Sequence, residues 1–267
     1  MDKIILKVEN INKSFPLAKS GFFDKLEYKQ ALSNVSLTLE KGKVLGIVGE
    51  SGSGKSTLGR IITKLILPDS GSVSYNGMDI THMNQKDFAP YRKDIQMIFQ
   101  NAYSSLNPNK TIGWLLKESL DINTKLSESE KSLKVDEMMD MVGLRNVLKG
   151  RYPKELSGGE RQRAVIGCAL MSDPKIIVAD EAVSALDVSV SAKILNLMNE
   201  LKEKLDLSYI FISHDLGVVN YISDDIAILY NGEIVESGSA EEIFKNPKNN
   251  YTKELLAGTF VYNISSQ

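Results

Sequence analysis

A loop suited to holding phosphate stands at Gly49-Glu50-Ser51-Gly52-Ser53-Gly54-Lys55-Ser56-Thr57. Its glycines let the backbone turn tightly and approach an anion with no Cβ in the way. In the G-x-x-x-x-G-K-[ST] pattern the backbone N–H groups cradle phosphates. The lysine, here Lys55, reaches the β and γ phosphates, and the first hydroxyl, here Ser56, completes a Mg²⁺ shell. Further along, Lys175-Ile176-Ile177-Val178-Ala179-Asp180-Glu181 is an apolar run ending in two acids. Carboxylates at the C-terminal end of a parallel strand sit where open sheets bind ligands. Successive strand residues point to opposite sides, so the two acids are expected to do different work. Asp180 is placed to hold the Mg²⁺ water shell, and Glu181 to orient or deprotonate the attacking water. Without the glycine loop the acids would read as a solvated strand end. With it they supply the hydrolytic half of a nucleoside triphosphate site.

These groups need elements to position them. Val44 to Val48 reads as a short buried strand. After the loop, Leu58, Ile61, Ile62, Leu65 and Ile66 fall at helical spacing until Pro68 stops the pattern. A strand, a glycine loop and a helix point backbone amides and a helix N-terminus at an anion. Ser157-Gly158-Gly159, ahead of the apolar stretch Ala164 to Met171, makes a second glycine-rich helix start. Alone it is also an ordinary start with Ser157 as N-cap. Ile95 to Phe99 ends on Gln100, and Tyr209 to Ser213 ends on His214. Taken singly, these two are a plain strand-end amide and a buried, satisfied histidine.

Residues 4–10 and 32–39 read as antiparallel strands flanking a segment from Leu17 to Gln30. Asn76-Gly77 and Asn231-Gly232 signal hairpin turns. Residues 101–165 read as helical, with a capping box at Ser127-x-x-Glu130 followed by Val135, Met138, Met139 and Val142 on one face. Residues 191–205 repeat the helical pattern. Glu241 to Phe244 reads as a short helix ahead of a polar tail to Gln267. No internal repeat, low-complexity tract or heptad array is present.

The ensemble resembles an ATP-binding-cassette (ABC) ATPase. Leu156-Ser157-Gly158-Gly159-Glu160-Arg161-Gln162 matches that family's signature loop, Gln100 its Q-loop, Ser184-Ala185-Leu186-Asp187 its D-loop and His214 its switch histidine. All stand in family order across positions 49 to 215. The resemblance implies an α/β P-loop core with an antiparallel β-subdomain and an inserted helical subdomain, roughly 101–165, in one domain spanning 1–267. It further implies that Ser157, Gly158, Gly159 and Asp187 contact ATP bound to an opposite cassette. By the same resemblance His214 contacts the γ-phosphate and catalytic water, and Gln100 ligates Mg²⁺ and links the site to a membrane partner. Phe15 best matches the adenine-stacking aromatic, and the segment that follows, Leu17 to Gln30, also holds Phe22, Phe23 and Tyr28. Ala182 departs from the proline that many relatives carry there; no chemical group is lost.

Arg92 to Gln100, Ser104-Ser105-Leu106-Asn107-Pro108, Tyr152 to Leu156 and Asp180 to Val190 narrow the resemblance to the oligopeptide/dipeptide/nickel importer group. The chain resembles the second, shorter ATPase of such systems. That implies a second ATPase subunit in a heterodimer, two transmembrane permease subunits, an external substrate-binding protein and a place on the cytoplasmic face of the membrane. Short peptides are the expected cargo, with nickel or a nickel chelate as the alternative. A non-transport ABC ATPase acting on nucleic acid or ribosomes is the reading from another class, and a module that closes on ATP without turnover is a further one. The charge balance, Lys+Arg 32 against Asp+Glu 34 for a net −2, offers no case for nucleic acid. No apolar stretch reaches the roughly twenty residues of a membrane helix, and the N-terminus lacks a signal peptide's apolar region. The single Cys168 excludes an internal disulfide and makes no metal site unaided.

Overall fold

In a computed structural model, residues 4–17, 27–100 and 105–264 are described. They divide into two compact units, Met1–Phe88 with Ile210–Gln267, and Ala89–Tyr209.

The first unit holds an antiparallel sheet of order β2-β1-β4-β5, built from β1 (Ile4–Pro16), β2 (Tyr28–Glu40), β4 (Ser70–Tyr75) and β5 (Met78–Asp79). It also holds β3 (Val44–Val48), β9 (Asp225–Tyr230), β10 (Glu233–Ser239) and residues 210–213 of β8 (Ser208–Ser213), in the order β10-β9-β3-β8. β3 is buried along its whole length and pairs in parallel with β9. A parallel strand covered on both faces requires such a continuous apolar run. Both Asn-Gly pairs form the expected turns. Asn76 and Gly77 (φ 48° and 76°) join β4 to β5, and Asn231 and Gly232 (φ 47° and 84°) join β9 to β10. Positive φ at both central residues gives the turn the twist that flanking strands require.

Three boundaries differ from expectation. β1 and β2 run on as a ribbon to Pro16 and Tyr28, beyond the predicted ends at 10 and 32. The extension is polar and lacks the alternating apolar signal. It is gripped instead by Asp69, which accepts from Ser14 N–H at 2.6 Å and Lys13 Nζ at 2.7 Å. Helix α1 (Lys55–Ile62) stops short of Leu65 and Ile66. Lys64 turns left-handed (φ 56°) and donates through Nζ to the carbonyls of Ile80 and Thr81 at 2.7 and 2.6 Å, leaving Leu65 exposed. The expected polar tail after α8 (Ala240–Lys245) instead carries a helix, α9 (Asn250–Ile264), with Leu256 buried. Helix α7 (Leu216–Ile222) packs against β3.

Helix α2 (Gln85–Arg92) leads into the second unit, where β6 (Ile95–Ile98) and β7 (Ile176–Asp180) pair in parallel, Ile95 opposite Ile176 and Ile98 opposite Ala179. Around them stand α3 (Ile112–Asn123), α4 (Glu128–Met141), α5 (Gly158–Leu170) and α6 (Val188–Leu205), with α5 in contact with α3, α4 and α6. The Ser127 capping box forms in full at the start of α4. Val135, Met139 and Val142 are buried, as are Ile194, Leu195, Leu197, Met198 and Leu201 of α6. These are the faces that the 3.6-residue period selects. Burial pushes the pKa of the half-buried Cys168 thiol up to about 12, so it stays protonated at neutral pH.

Candidate nucleotide-binding and hydrolytic residues

In the first unit β3 delivers the chain into the Gly49 loop. A Cβ on Gly49 would lie 2.0 Å from the Leu229 carbonyl oxygen, so no other residue fits there. Gly54 takes φ 108° as the N-cap of α1 and supplies no side chain to cap it. The Lys55 side chain is buried, and its ammonium donates to the Gly49 and Glu50 carbonyls at 2.6 and 2.7 Å. The carbonyls are neutral, and an anionic phosphate oxygen makes a stronger, charge-assisted bond to the same ammonium. Ser53 Oγ is buried without a hydrogen-bond partner. A buried hydroxyl left unpaired is costly unless something binds to it. A buried cation, an orphaned hydroxyl and a helix start without a side-chain cap together fit a polyphosphate. Ser51 and Gly52 are exposed at the rim, and Ser56 and Thr57 are half-buried in the first turn.

Phe15 stands near the outer end of the β1–β2 ribbon, opposite Lys29. The residue is 39% exposed, and the Lys13 ammonium lies 5.5 Å from the ring centroid. Tyr28 is more exposed, while Phe22 and Phe23 fall outside the described residues. His214 follows β8 directly and is exposed, unlike the buried histidine that its apolar approach suggests. Asp215 fixes its backbone by capping α7, accepting from the Gly217 and Val218 amides at 2.8 and 3.2 Å.

In the second unit Asp180 ends β7 and is buried, whereas Glu181 is partly exposed. The divergence of the two acids arises from a turn rather than from strand alternation. Glu181 lies past the strand end with φ 48°. That left-handed conformation is uncommon for a residue with a side chain and marks a held position. Ser184 holds it, donating to the Glu181 carbonyl from N–H at 3.2 Å and from Oγ at 3.0 Å. Gln100 Nε2 donates to Glu181 Oε2 at 2.6 Å, so two of the predicted residues meet directly. The sequence pointed to both, but nothing in it marked this contact or the grip of Ser184.

Ser157 N-caps α5 in a closed capping box. Its Oγ accepts from the Glu160 amide at 3.3 Å and donates to the Glu160 carboxylate at 2.8 Å, and that carboxylate also accepts from the Ser157 amide at 3.0 Å. These bonds from Ser157 hold the Glu160 carboxyl below its ordinary range. Gly158 and Gly159 admit close neighbours: added Cβ atoms would lie 3.3 Å from Leu186 Cδ2 and 2.8 Å from Val190 Cγ1. The loop therefore packs beside the Ser184–Val190 segment. Asp187 in that segment caps α6, accepting from Val190 N–H at 3.0 Å and Ser189 Oγ at 2.8 Å, which lowers its pKa. Its placement as a cap was readable from Asp followed by an apolar helical run.

The described residues contain no group of three or more His, Cys, Asp or Glu side chains arranged to hold a metal. Ser56 in the first unit, and Asp180 and Gln100 in the second, each carry a hard oxygen donor of the kind Mg²⁺ prefers. No helix among the described residues is long and apolar enough to cross a membrane.

Residues 32–184 match the model of the family described as "ABC transporter". The dipeptide transport ATP-binding protein DppF of Haemophilus influenzae is 50% identical over 96% of this chain and 78% of its own. The oligopeptide transport ATP-binding protein AppF of Bacillus subtilis is 44% identical over 95% and 77%. Among solved structures, the dimeric ATP-binding cassette MJ0796, in a post-hydrolysis state bound to ADP and Pi, superposes with a TM-score of 0.77 at 29% identity, covering 88% of this chain and 98% of that one. The cbiO1 protein of Clostridium perfringens, part of the ABC transporter complex cbiONQ, gives 0.79 at 25% identity over 99% and 100%. The family model covers more than half of the chain and these relatives match nearly all of it, so the chain belongs to the ABC transporter family and is one of its ATP-hydrolysing cassettes.

Proposed function

We propose that this chain couples Mg²⁺-dependent ATP hydrolysis to the import of short peptides. It does so as one of two unlike ATPase subunits on the cytoplasmic face of a membrane, beneath two permease subunits fed by an external binding protein. The contact between Gln100 and Glu181 carries the hydrolytic part of this reading, because it holds a carboxylate in one orientation at the end of an apolar strand. Glu181 is the general base for the attacking water, and His214 contacts the γ-phosphate. Residues Gly49 to Thr57 cradle the phosphates, with Lys55 on the β and γ oxygens and Phe15 stacked on adenine. Ser56, Asp180 and Gln100 would hold Mg²⁺, which when bound neutralises charge on the phosphates. Ser157, Gly158, Gly159 and Asp187 contact the nucleotide held by the other cassette. Peptide cargo is supported by the dipeptide and oligopeptide transport relatives.

Glu181→Gln keeps the shape of the site and removes the base. ATP binding should persist while phosphate release by the assembled transporter falls about 10²- to 10⁴-fold. Normal turnover would remove Glu181 from its role. Cargo is tested by deleting the gene and following uptake of labelled di- to pentapeptides and of nickel. Lost peptide uptake supports the reading, and lost nickel uptake alone transfers it to the metal.

A further inference from the structure

Tyr251 belongs to none of the family motifs, yet its hydroxyl reaches the phosphate loop. The Glu50 N–H donates to Tyr251 Oη at 3.3 Å. The tyrosine is itself held from two directions. Its ring lies against that of Tyr230, with centroids 4.1 Å apart and planes tilted by 36°. The start of α9 is anchored by the Glu236 carboxylate, which accepts from the Lys248 and Asn249 amides at 2.7 and 3.0 Å. Asn249 Oδ1 in turn accepts from the Tyr251 N–H at 2.8 Å. Tyr230 also leads into the Asn231-Gly232 turn, where the Gly232 N–H donates to the Ser53 carbonyl at 3.0 Å. The loop is therefore tied at two points, Glu50 and Ser53, just ahead of the helix start at Gly54 and Lys55. Burial raises the pKa of Tyr251, so the hydroxyl stays neutral through the physiological range.

We propose that Tyr251 is a positioning residue for the phosphate loop: by holding the Glu50 amide, it presets the loop conformation that receives nucleotide. This rests on the reading that the Gly49 loop binds ATP. Presetting a loop raises affinity by removing the ordering cost from the binding step. A merely structural tyrosine would change folding stability instead.

The test is Tyr251→Phe in the full chain, which keeps the ring against Tyr230 and deletes one acceptor. ATP affinity, measured by calorimetric titration with Mg²⁺, should weaken about three- to ten-fold, the worth of one hydrogen bond. Amide exchange should quicken locally over Glu50 to Lys55, while the nucleotide-free Tm stays near that of the parent. Tyr251→Leu, which also removes the ring contact, should weaken binding at least as much and lower Tm as well. Parental affinity and loop exchange in Tyr251→Phe would overturn the proposal, as would an affinity loss accompanied by a general fall in stability. Lys55→Ala run in parallel separates the two readings. If it weakens binding and Tyr251→Phe does not, only the positioning role falls; if neither weakens it, both readings fall.

Discussion

Two glycine-rich helix starts lie in this chain, and they are finished in opposite ways. At α1 the N-cap is Gly54, in a left-handed conformation and with no side chain to close the helix end. At α5 the N-cap is Ser157, locked with Glu160 in a reciprocal box. A helix start that supplies no acceptor of its own leaves the binding of an anion to a ligand. A start that carries its own carboxylate stands complete without one. Both loops are glycine-rich, but only the first leaves its helix end without a side-chain cap, in keeping with the proposed division between holding ATP and contacting the ATP of the other cassette.

Ser157→Arg tests this division of roles most severely. Binding of ATP to the Gly49 loop of the same chain should be unchanged. Hydrolysis at the partner cassette's site should fall about 10²- to 10³-fold, the scale of losing one donor to a reacting phosphate. Weakened binding in the same chain, seen by titration, would mean that the two starts do not divide the work as described. Lys55→Ala should act the other way, lowering ATP affinity about ten- to a hundred-fold as a charged hydrogen-bonding group is lost. Equilibrium binding measures it directly.

The glycines themselves sharpen the contrast. Gly54→Ala forces a side chain into φ 108° and places its Cβ 2.4 Å from the Ala31 carbonyl oxygen. It should cost about 1–3 kcal/mol of stability. At Gly158 the added carbon would meet only Leu186 Cδ2, at 3.3 Å, a methyl able to yield. Gly158→Ala should therefore leave the denaturant midpoint nearly unmoved. The smallest effect is on pH. The Glu160 carboxyl is held below its ordinary range, first by the Ser157 amide and then by the Ser157 hydroxyl. Its contribution is complete above the ordinary glutamate pKa and is lost as pH falls through the depressed folded value. The stability difference between the parent and Glu160→Gln should shrink on acidification and stay flat at neutral pH, as read from Tm across a pH series.

How much was legible follows from how local each feature is. The Asn-Gly turns at 76 and 231 and the Ser127 box appear where the residues indicate, because their bonds close within a few positions. The far end of the β1–β2 ribbon was missed because Asp69 holds it from 55 and 56 positions away. The end of α1 was overrun because the apolar spacing continues through Leu65 and Ile66. What stops the helix is Lys64 turning toward Ile80 and Thr81, 16 and 17 positions on. The C-terminal helix lacked an apolar stripe strong enough to announce it.

By itself the sequence determined the chemical groups and their order: a phosphate loop with its lysine, an apolar strand ending in two acids, a capped glycine start, and a histidine after a strand. These are written in residue type and short spacing, and the local hydrogen bonds that shape them need no distant partner. The tertiary structure alone decided which way those groups face. Glu181 is turned by its left-handed backbone and held by Gln100 from 81 positions away, and the phosphate loop is tied to Tyr251 from 201. Contacts closed over such spans carry a loop-closure cost that no local pattern encodes. They form only once the packed sheets and helices have brought the segments together.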